Sequence, residues 1–560
     1  MRDLKHWLPF LNWPRPTPQL LKSEAFAGLS VGLMVIPQGV AYAALAGMPL
    51  ITGMYASLIP ALVSVLFSAS NRLSVGPTAL TAILVSASLT GMAEPGSAEW
   101  INLTVWLSLM TGLLQVILGF ARFGWLLNLV SSPVLMAFTQ GAGLLILASQ
   151  LPALLGLTHG WSSLWQPQHI DMASLLFGLV TLVLLMLARR WRPTFPTVLV
   201  VVLGAAGVSA GLDLPAQGTA VVGALPQGLP SVYWPTVLDW ASFKQLVLPT
   251  LVITLVSFLE TASSAKVDND RSGKRWDQDQ DLIGQGLAKV ASGLCGAFPT
   301  SSSFSRSALN LYAGAQSAWA TVFSVGVILL ILLLLTSVLQ PVPQSVLAAI
   351  VVSAVMGLIK PRAFVKLYAI NRAEAATAAV TLVITLLSAP RLYWGVLAGM
   401  LMGLSHFLHT RLHPRIIEVG LHADGSLRDR HLWKLPPLAP QLYALRMDAE
   451  LDFAAASSLE RAVVEHLSQH PEVRHVCLFA QPINRIDATG VESMAKLEAM
   501  LAERHITLHI SGMKLPVETV LRRAACLEPH VGLRIYRTDA QAVQQLRQLE
   551  TLPADMGWCI

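Results

Sequence analysis

The sequence is poor in charge and rich in uninterrupted apolar stretches. Charged residues make up 12% of its 560 positions, and hydrophobic residues make up 54%. Residues 321–359 contain no charged residue at all. Soluble proteins of this size do not have such a composition, so the chain is predicted to be a polytopic α-helical protein of the lipid bilayer. Its net charge of +6 is modest and gives no indication of a nucleic-acid partner.

Cysteines and nucleotide-binding motifs are also scarce. The chain has 4 cysteines, and they are scattered without the short Cys–Cys or His–Cys spacings of a metal or redox site. Neither a Walker A motif nor a dinucleotide-binding fingerprint occurs. We therefore expect no cofactor, no metal and no enzymatic activity. Residues 1–22 lack the small-residue cleavage pattern of a signal peptide and are predicted to be a cytoplasmic lead-in.

Hydrophobic blocks separated by turn signals predict about fourteen membrane segments within a transport domain at residues 23–412. These segments begin near Ala25, Ile51, Ala79, Ile101, Gly124, Ala173, Pro196, Leu246, Asp281, Ser303, Ser317, Ser345, Ala375 and Tyr393. Connections such as 266–275 concentrate Lys and Arg, whereas residues 214–240 contain neither. By the positive-inside rule both termini are expected in the cytoplasm, and Arg391 is the clear exception to the pattern.

The third segment of each half has the same unusual start. Residues 74–79 (SVGPTA) open a run that stops at Gly91, and residues 298–301 (FPTS) open one that stops at Gly314. Short segments with Gly and Pro at matched positions are typical of the binding site of an inverted-repeat transporter. Two repeats of seven segments, at about residues 23–213 and 241–412, would direct two half-helix N-termini at one central site. Alternatively, each Gly or Pro marks an ordinary loop end.

A single arginine follows the second of these starts. Arg306 comes after Pro299, Thr300 and the serine-rich residues 301–305. Placing an arginine at the bilayer centre costs about 2.5–3.5 kcal/mol on insertion scales, so it should face water, a carboxylate or an anion. Helix N-termini also favour anions, and the segment therefore predicts an anion site in the middle of the membrane.

The composition changes after Arg415. Strand-like and helix-like stretches alternate over residues 438–550 and predict a small α/β domain. Residues 413–437, rich in His, Pro and charge, are expected to form a linker, and residues 551–560 a C-terminal tail.

Together these motifs resemble the SulP family of anion permeases, the sulfate permease and prestin-related group, which carry a C-terminal STAS domain. The matching stretches are residues 35–43 (VIPQGVAYA), 74–79 (SVGPTA), 132–143, 298–308 (FPTSSSFSRSA) and, for the STAS loop, 484–490 (NRIDATG). The resemblance covers residues 20–550. It implies core and gate domains of seven plus seven segments, in which the first, third, eighth and tenth spans enclose the substrate.

The resemblance also implies which residues bind the anion. Gln38, after Pro37 on the first span, would donate a hydrogen bond, and Tyr42 would line the cavity one turn further on. The alternative for Gln38 is that it satisfies backbone carbonyls freed by Pro37. The two half-helices would contribute backbone N–H groups and hydroxyls, and Arg306 a positive field; their residues are Thr78, Ala79, Ser303, Phe304 and Ser305.

Glu260 is the second charge of interest, on the eighth span. In the family resembled here, an acidic residue at this place is linked to a coupling cation, either a proton or sodium. The alternative is a structural ion pair between Glu260 and Arg306. The sequence leaves both open.

The resemblance implies a secondary active transporter of inorganic oxyanions, with sulfate as the first expectation, working by alternating access and proton or sodium symport. Bicarbonate, a dicarboxylate, uncoupled exchange or channel activity, and an anion-sensing receptor stay open as alternatives. Lys289 and Arg391 depart from residues that many relatives have, which puts the substrate in doubt.

We expect a homodimer in the cell inner membrane, with a cytoplasmic regulator at the STAS domain. In the STAS loop, Thr489 is a candidate phosphosite. The alternative is that the loop has no regulatory role and that Asp487 simply caps the helix that follows.

Overall fold

The computed structural model describes residues 8–157, 170–191, 197–272, 276–389, 391–528 and 532–548. The chain forms two compact units, Met1–Gly403 and Leu404–Ile560. The first unit is helical apart from one pair of very short strands. The second unit contains a six-stranded sheet with helices.

The predicted segments of the first half all contain a helix. In chain order the helices are α1 (Pro18–Leu45), α2 (Thr52–Phe67), α3 (Ala79–Leu89), α4 (Ala98–Phe120), α5 (Ser132–Leu154), α6 (Met172–Trp191) and α7 (Thr197–Gly211). Helix α1 begins inside the expected lead-in, because Pro18 suits the first helical position and the Thr17 hydroxyl accepts a hydrogen bond from the Leu20 N–H at 3.3 Å. The segment expected from Gly124 begins as a 3₁₀ turn, Gly124–Leu129, and α5 follows it.

The second half repeats this organisation with two additional short helices. Its helices are α8 (Trp240–Ser272), α9 (Gln278–Leu294), α10 (Phe304–Tyr312), α11 (Trp319–Leu334), α12 (Thr336–Leu339), α13 (Gln344–Met356), α14 (Pro361–Ile370), α15 (Arg372–Leu387) and α16 (Tyr393–Leu412). Helices α12 and α14 are absent from the predicted set. The count of fourteen spans and the inversion of the repeat stay predictions.

Several of these helices can cross a membrane by length and composition. Within the described residues, 5 stretches qualify: Pro18–Leu45, Ala98–Phe120, Ser132–Leu154, Trp240–Ala265 and Gln344–Ile370, the last of which covers both α13 and α14. Helix α3, at 11 residues, is too short to span a bilayer of about 30 Å, since a helix rises about 1.5 Å per residue. Helix α10 has only 9 residues. Both predicted half-helices are therefore short.

Two strands of two residues each join the starts of α3 and α10. Strand β1 (Val75–Gly76) pairs antiparallel with β2 (Ser301–Ser302), with Val75 opposite Ser302. The Ser303 N–H extends the pairing by donating to the Ser74 carbonyl at 3.0 Å. This pairing brings together two segments that lie more than 200 residues apart in the sequence.

Close helix contacts surround this strand pair. A Cβ atom added at Gly112 on α4 would lie 2.6 Å from the Gly286 carbonyl oxygen on α9, and one added at Gly286 would lie equally close to the Gly112 carbonyl. Helices α1 and α2 meet in the same way at Gly39 and Gly53. Because only glycine permits this backbone approach, these four positions bring polar side chains of neighbouring helices within hydrogen-bonding range.

The second unit is an α/β fold. Its sheet has the order β4–β3–β5–β6–β7–β8, in which β5 to β8 are parallel and β3 is antiparallel to both of its neighbours. The strands are β3 (Ile416–Leu421), β4 (Leu427–Asp429), β5 (Leu442–Met447), β6 (His475–Phe479), β7 (Thr507–Ser511) and β8 (Leu533–Tyr536). The helices are α17 (Arg430–Trp433), α18 (Ala456–Gln469), α19 (Ala488–Glu503), α20 (Leu515–Arg523) and α21 (Asp539–Gln548).

The expected linker at 413–437 is part of this sheet. Strand β3 pairs with β5, with Ile416 opposite Met447 and Glu418 opposite Leu445. The alternating residues Ile417 and Val419 are buried, which is the pattern of a strand with one covered face. The surrounding His, Pro and charged residues concealed that alternation, and the linker interpretation is corrected here.

A row of polar rings crosses three neighbouring strands of the sheet. His475 on β6 lies 3.2 Å from His509 on β7 between ring nitrogens, and the other His509 nitrogen lies 3.0 Å from the Tyr536 hydroxyl on β8. His509 is 1% exposed. Burial, with smaller effects from the charges of His475 and Arg534, lowers the pKa of His509 to about 3.

We predict that acid destabilises this sheet through His509. In the unfolded chain His509 is protonated with an ordinary histidine pKa near 6.5, whereas in the folded sheet it stays neutral down to about pH 3. The free energy of unfolding is therefore highest above pH 6.5 and falls by up to about 1.4 kcal/mol per pH unit as the pH drops toward 3. His509→Gln should be less stable than wild type at pH 7. The difference in free energy of unfolding between the two proteins should be smaller at pH 5. Hydrogen–deuterium exchange of β7 peptides in the full-length protein, compared between the two proteins at each pH, measures this. A disadvantage that stays constant with pH would contradict it.

Candidate functional site

The starts of α3 and α10 form a polar opening with unpaired backbone donors. Thr78 caps α3, because its hydroxyl accepts a hydrogen bond from the Thr81 N–H at 3.3 Å. Among the described residues, no hydrogen bond occupies the N–H groups of Ala79 and Leu80 in α3 or of Phe304 and Ser305 in α10. Such donors, together with two helix dipoles, favour an anion.

The opening is accessible on the α10 side. Phe304 is 55% exposed, Ser305 is exposed, and Ser303 and Ala79 are half-buried. The hydroxyls of Ser303 and Ser305 lie 3.3 Å apart. The Ser303 N–H is already used in the strand pairing, so this residue offers its hydroxyl, not its backbone, to a ligand.

Arg306 lies behind the opening and is completely buried. Its Nη1 donates to the Pro77 carbonyl at 2.9 Å, its Nε donates to the Ser74 hydroxyl at 3.3 Å, and Gln38 Oε1 lies 3.5 Å from Nη1. Its Nη2 has no hydrogen-bond partner among the described residues. Arg306 therefore connects α10 to the β1 segment in the other half of the membrane unit and to α1, and it places a positive charge beneath the strand pair.

The two predicted α1 residues are also buried here. Gln38 directs its carbonyl oxygen toward Arg306, which leaves its amide group as the donor. Tyr42 is buried one turn further along α1. Among the described hydrogen bonds, none joins the Gln38 amide to a backbone carbonyl freed by Pro37.

Glu260 on α8 belongs to the same site. Its Oε2 accepts a hydrogen bond from the Thr78 hydroxyl at 3.1 Å, so the carboxylate is bonded to the cap of α3. The side chain is partly exposed. The salt bridges of the described residues include none between Glu260 and Arg306, and the ion-pair alternative is not observed.

Sequence reasoning missed a polar chain behind Glu260. The Lys289 ammonium on α9 donates to Gln115 Oε1 on α4 at 2.9 Å, and Gln115 Nε2 donates to the Ser257 hydroxyl on α8 at 3.1 Å. All three side chains are completely buried. The Ser301 hydroxyl donates to the Ser257 carbonyl at 3.0 Å, so the chain reaches β2. A lysine within an apolar segment was the available signal.

In the second unit, Asp487 caps helix α19. One of its carboxylate oxygens accepts the Gly490 N–H at 2.8 Å and the other accepts the Phe453 N–H at 3.0 Å. Thr489 is exposed in the first turn of the helix. Among the described residues, no group of three or more His, Cys, Asp or Glu side chains could hold a metal ion.

Comparison with known proteins gives a family match for each part of the chain. The sulfate permease family profile matches residues 21–381, and the STAS domain profile matches residues 437–542. The chain belongs to the sulfate permease family. It is therefore a multi-pass membrane protein of a transporter family, with a STAS domain after the membrane domain.

Relatives of this family member cover most of its length. It is 31% identical to "Probable sulfate transporter 4.2" of Arabidopsis thaliana, over 93% of this chain and 80% of that protein. It is 29% identical to the "Sodium-independent sulfate anion transporter" of Bos taurus, over 93% of this chain and 88% of that protein. The inward-facing murine solute carrier 26 family member A9 anion transporter has the same fold, with a TM-score of 0.87, 20% identity, and coverage of 98% of this chain and 95% of that one.

We predict that Arg306→Ala strongly reduces anion binding, because the site loses the buried cation beneath the two helix starts. Arg306→Lys should retain part of the binding, since a charge remains while the fork that holds Pro77 and Ser74 is lost. Binding of sulfate to detergent-purified protein, with size-exclusion profiles to verify folding, measures both. Arg362, exposed near the start of α14, provides the matched control Arg362→Ala. Wild-type affinity in Arg306→Ala would show that the anion binds elsewhere.

Proposed function

We propose that this member of the sulfate permease family is a secondary active transporter of sulfate that works by alternating access. The observation that supports the proposal most directly is the hydrogen bond between Glu260 and Thr78. It links a titratable carboxylate to the cap of a helix whose free N–H groups face the opening. The names of the curated relatives favour sulfate as the anion.

The same hydrogen bond suggests how a proton is coupled to the anion. An ionised Glu260 repels an anion bound at the start of α3, and protonation removes that repulsion. Anion and proton therefore bind more favourably together than separately, which is the requirement for symport. Arg306 bonds to Ser74 and Pro77 and so supports the proposed anion position from the other half of the chain.

The proposal extends to the surroundings of the transporter. We place it in the cell inner membrane with both termini in the cytoplasm, as a homodimer. The STAS domain would bind a cytoplasmic regulator, with Thr489 as candidate phosphosite because its hydroxyl is exposed in the first turn of α19. A phosphate at a helix N-terminus is favoured by the helix dipole.

Uptake into proteoliposomes tests the transported anion. Radiolabelled sulfate, bicarbonate and fumarate are offered separately, each with an inward proton gradient or an inward sodium gradient. We expect sulfate to accumulate, and to do so faster with the proton gradient. Faster uptake of bicarbonate or fumarate than of sulfate would show that sulfate is not the preferred substrate. Uptake insensitive to both gradients would indicate exchange or a channel. Binding without any flux would favour a receptor.

A second prediction concerns Glu260. Glu260→Gln mimics the protonated carboxyl, so the variant should bind sulfate at least as well as wild type and lose its acceleration by the proton gradient. Exchange of labelled for unlabelled sulfate should survive, because exchange does not require return of the empty carrier. Glu374→Gln, on the distant α15, is the matched control and should keep the full response. A full proton response in Glu260→Gln would remove Glu260 from the coupling mechanism.

A further inference from the structure

Lys289 is a buried cation that has no role in the transport cycle proposed above. It is completely buried on α9, where the backbone contact between Gly112 and Gly286 brings α4 against its own helix. Burying an ammonium group is unfavourable unless polar or charged groups compensate it. Gln115 supplies one neutral acceptor at 2.9 Å and no charge.

The compensating charge is Glu260. The carboxylate of Asp281, more than two turns away on the same helix, already accepts the Ser70 hydroxyl at 2.6 Å and the Trp276 indole N–H at 2.7 Å. Among the described residues, the hydrogen bonds that start at Lys289 lead by way of Gln115 to α8, the helix that carries Glu260. Gln115 bonds to Ser257, which lies one turn before Glu260 on α8, so the ammonium is anchored to the helix that carries the carboxylate.

Two buried cations are linked to the surroundings of this carboxylate. Arg306 bonds to the Pro77 carbonyl, next to the Thr78 that bonds to Glu260, and Lys289 is linked through Gln115 to α8. The salt bridges of the described residues include none between Glu260 and either cation. A carboxylate in this position is otherwise a good oxygen ligand for a hard metal cation. A further cation at Glu260 would be repelled by both fixed charges, whereas a proton needs no space and no additional ligands.

We propose that Lys289 takes the place of a coupling metal cation beside Glu260 and thereby excludes sodium from the site. Lys289 is on this view a specificity-determining residue for the coupling ion. The inference deepens the proposed function and rests on it, since it assigns the ion selectivity of the same carboxylate.

Sodium binding to purified protein tests this without requiring transport. Thermal unfolding in detergent is followed as NaCl is titrated against choline chloride at constant ionic strength, and the apparent Kd for sodium is obtained from the shift. Wild type and Lys289→Arg should show no sodium-specific stabilisation. Lys289→Met and Lys289→Asn should show it, with sodium binding at least roughly tenfold tighter than in wild type, because one repelling unit charge is gone.

Control variants locate the effect. Lys244→Met, at an exposed lysine of α8, should behave as wild type. Adding Glu260→Gln to Lys289→Met should abolish the gain, because the sodium ligand is lost. Size-exclusion profiles verify that each variant is folded. Two neutral variants of Lys289 are used so that the test can still be read if one of them does not fold. Sodium-specific stabilisation of wild type, or its absence in both folded neutral variants, would overturn the proposal. Absence of sulfate uptake by wild type would instead overturn the proposed function and leave this binding result standing.

Discussion

The antiparallel pairing of β1 and β2 is the constraint on which the rest of the site depends. Val75 and Gly76 pair with Ser302 and Ser301, and this short contact sets the starts of α3 and α10 side by side. The free N–H groups of both helices, the Thr78 cap and the Arg306 side chain all take their positions from it. Arg306 reinforces the pairing from below, since it bonds to Ser74 and Pro77 on the opposite strand segment. Arg306 therefore both stabilises the strand pair by hydrogen bonds and supplies the positive charge of the site.

The sequence predicted the two short helices and their matched positions, because Gly, Pro and a run of hydroxyl residues are local signals. It also gave Glu260 and Arg306 as candidate site residues, because charges in apolar segments are conspicuous. The direction of each side chain could not be predicted. Glu260 bonds to Thr78, 182 residues away, and Arg306 bonds to Ser74, 232 residues away. Such contacts depend on strand register and helix packing, which leave no mark on local composition.

Two other features escaped sequence reasoning for different physical reasons. Strand β3 lies in a stretch dominated by His, Pro and charge, and its short alternation of Ile417 and Val419 was visible only once β5 lay beside it. Lys289 was noted as a departure from the family and not as part of the site, since its acceptor Gln115 is on a helix that is distant in sequence. The close approach at Gly112 and Gly286 explains why the two meet.

The charges gathered around the strand pair also bear on which anion the site suits. Arg306 and Lys289 are buried cations, and Glu260 is a carboxylate that bonds to Thr78 and lies one turn after Ser257 on α8. With Glu260 ionised, this set carries one net positive charge, which a monovalent anion balances. With Glu260 protonated, the net charge rises to two, which a divalent oxyanion balances. Because net charge is costly away from water, a divalent anion favours the protonated carboxyl and a monovalent anion favours the ionised one. In the proposed symport, charge balance would therefore favour a proton alongside sulfate, without any contact between the two.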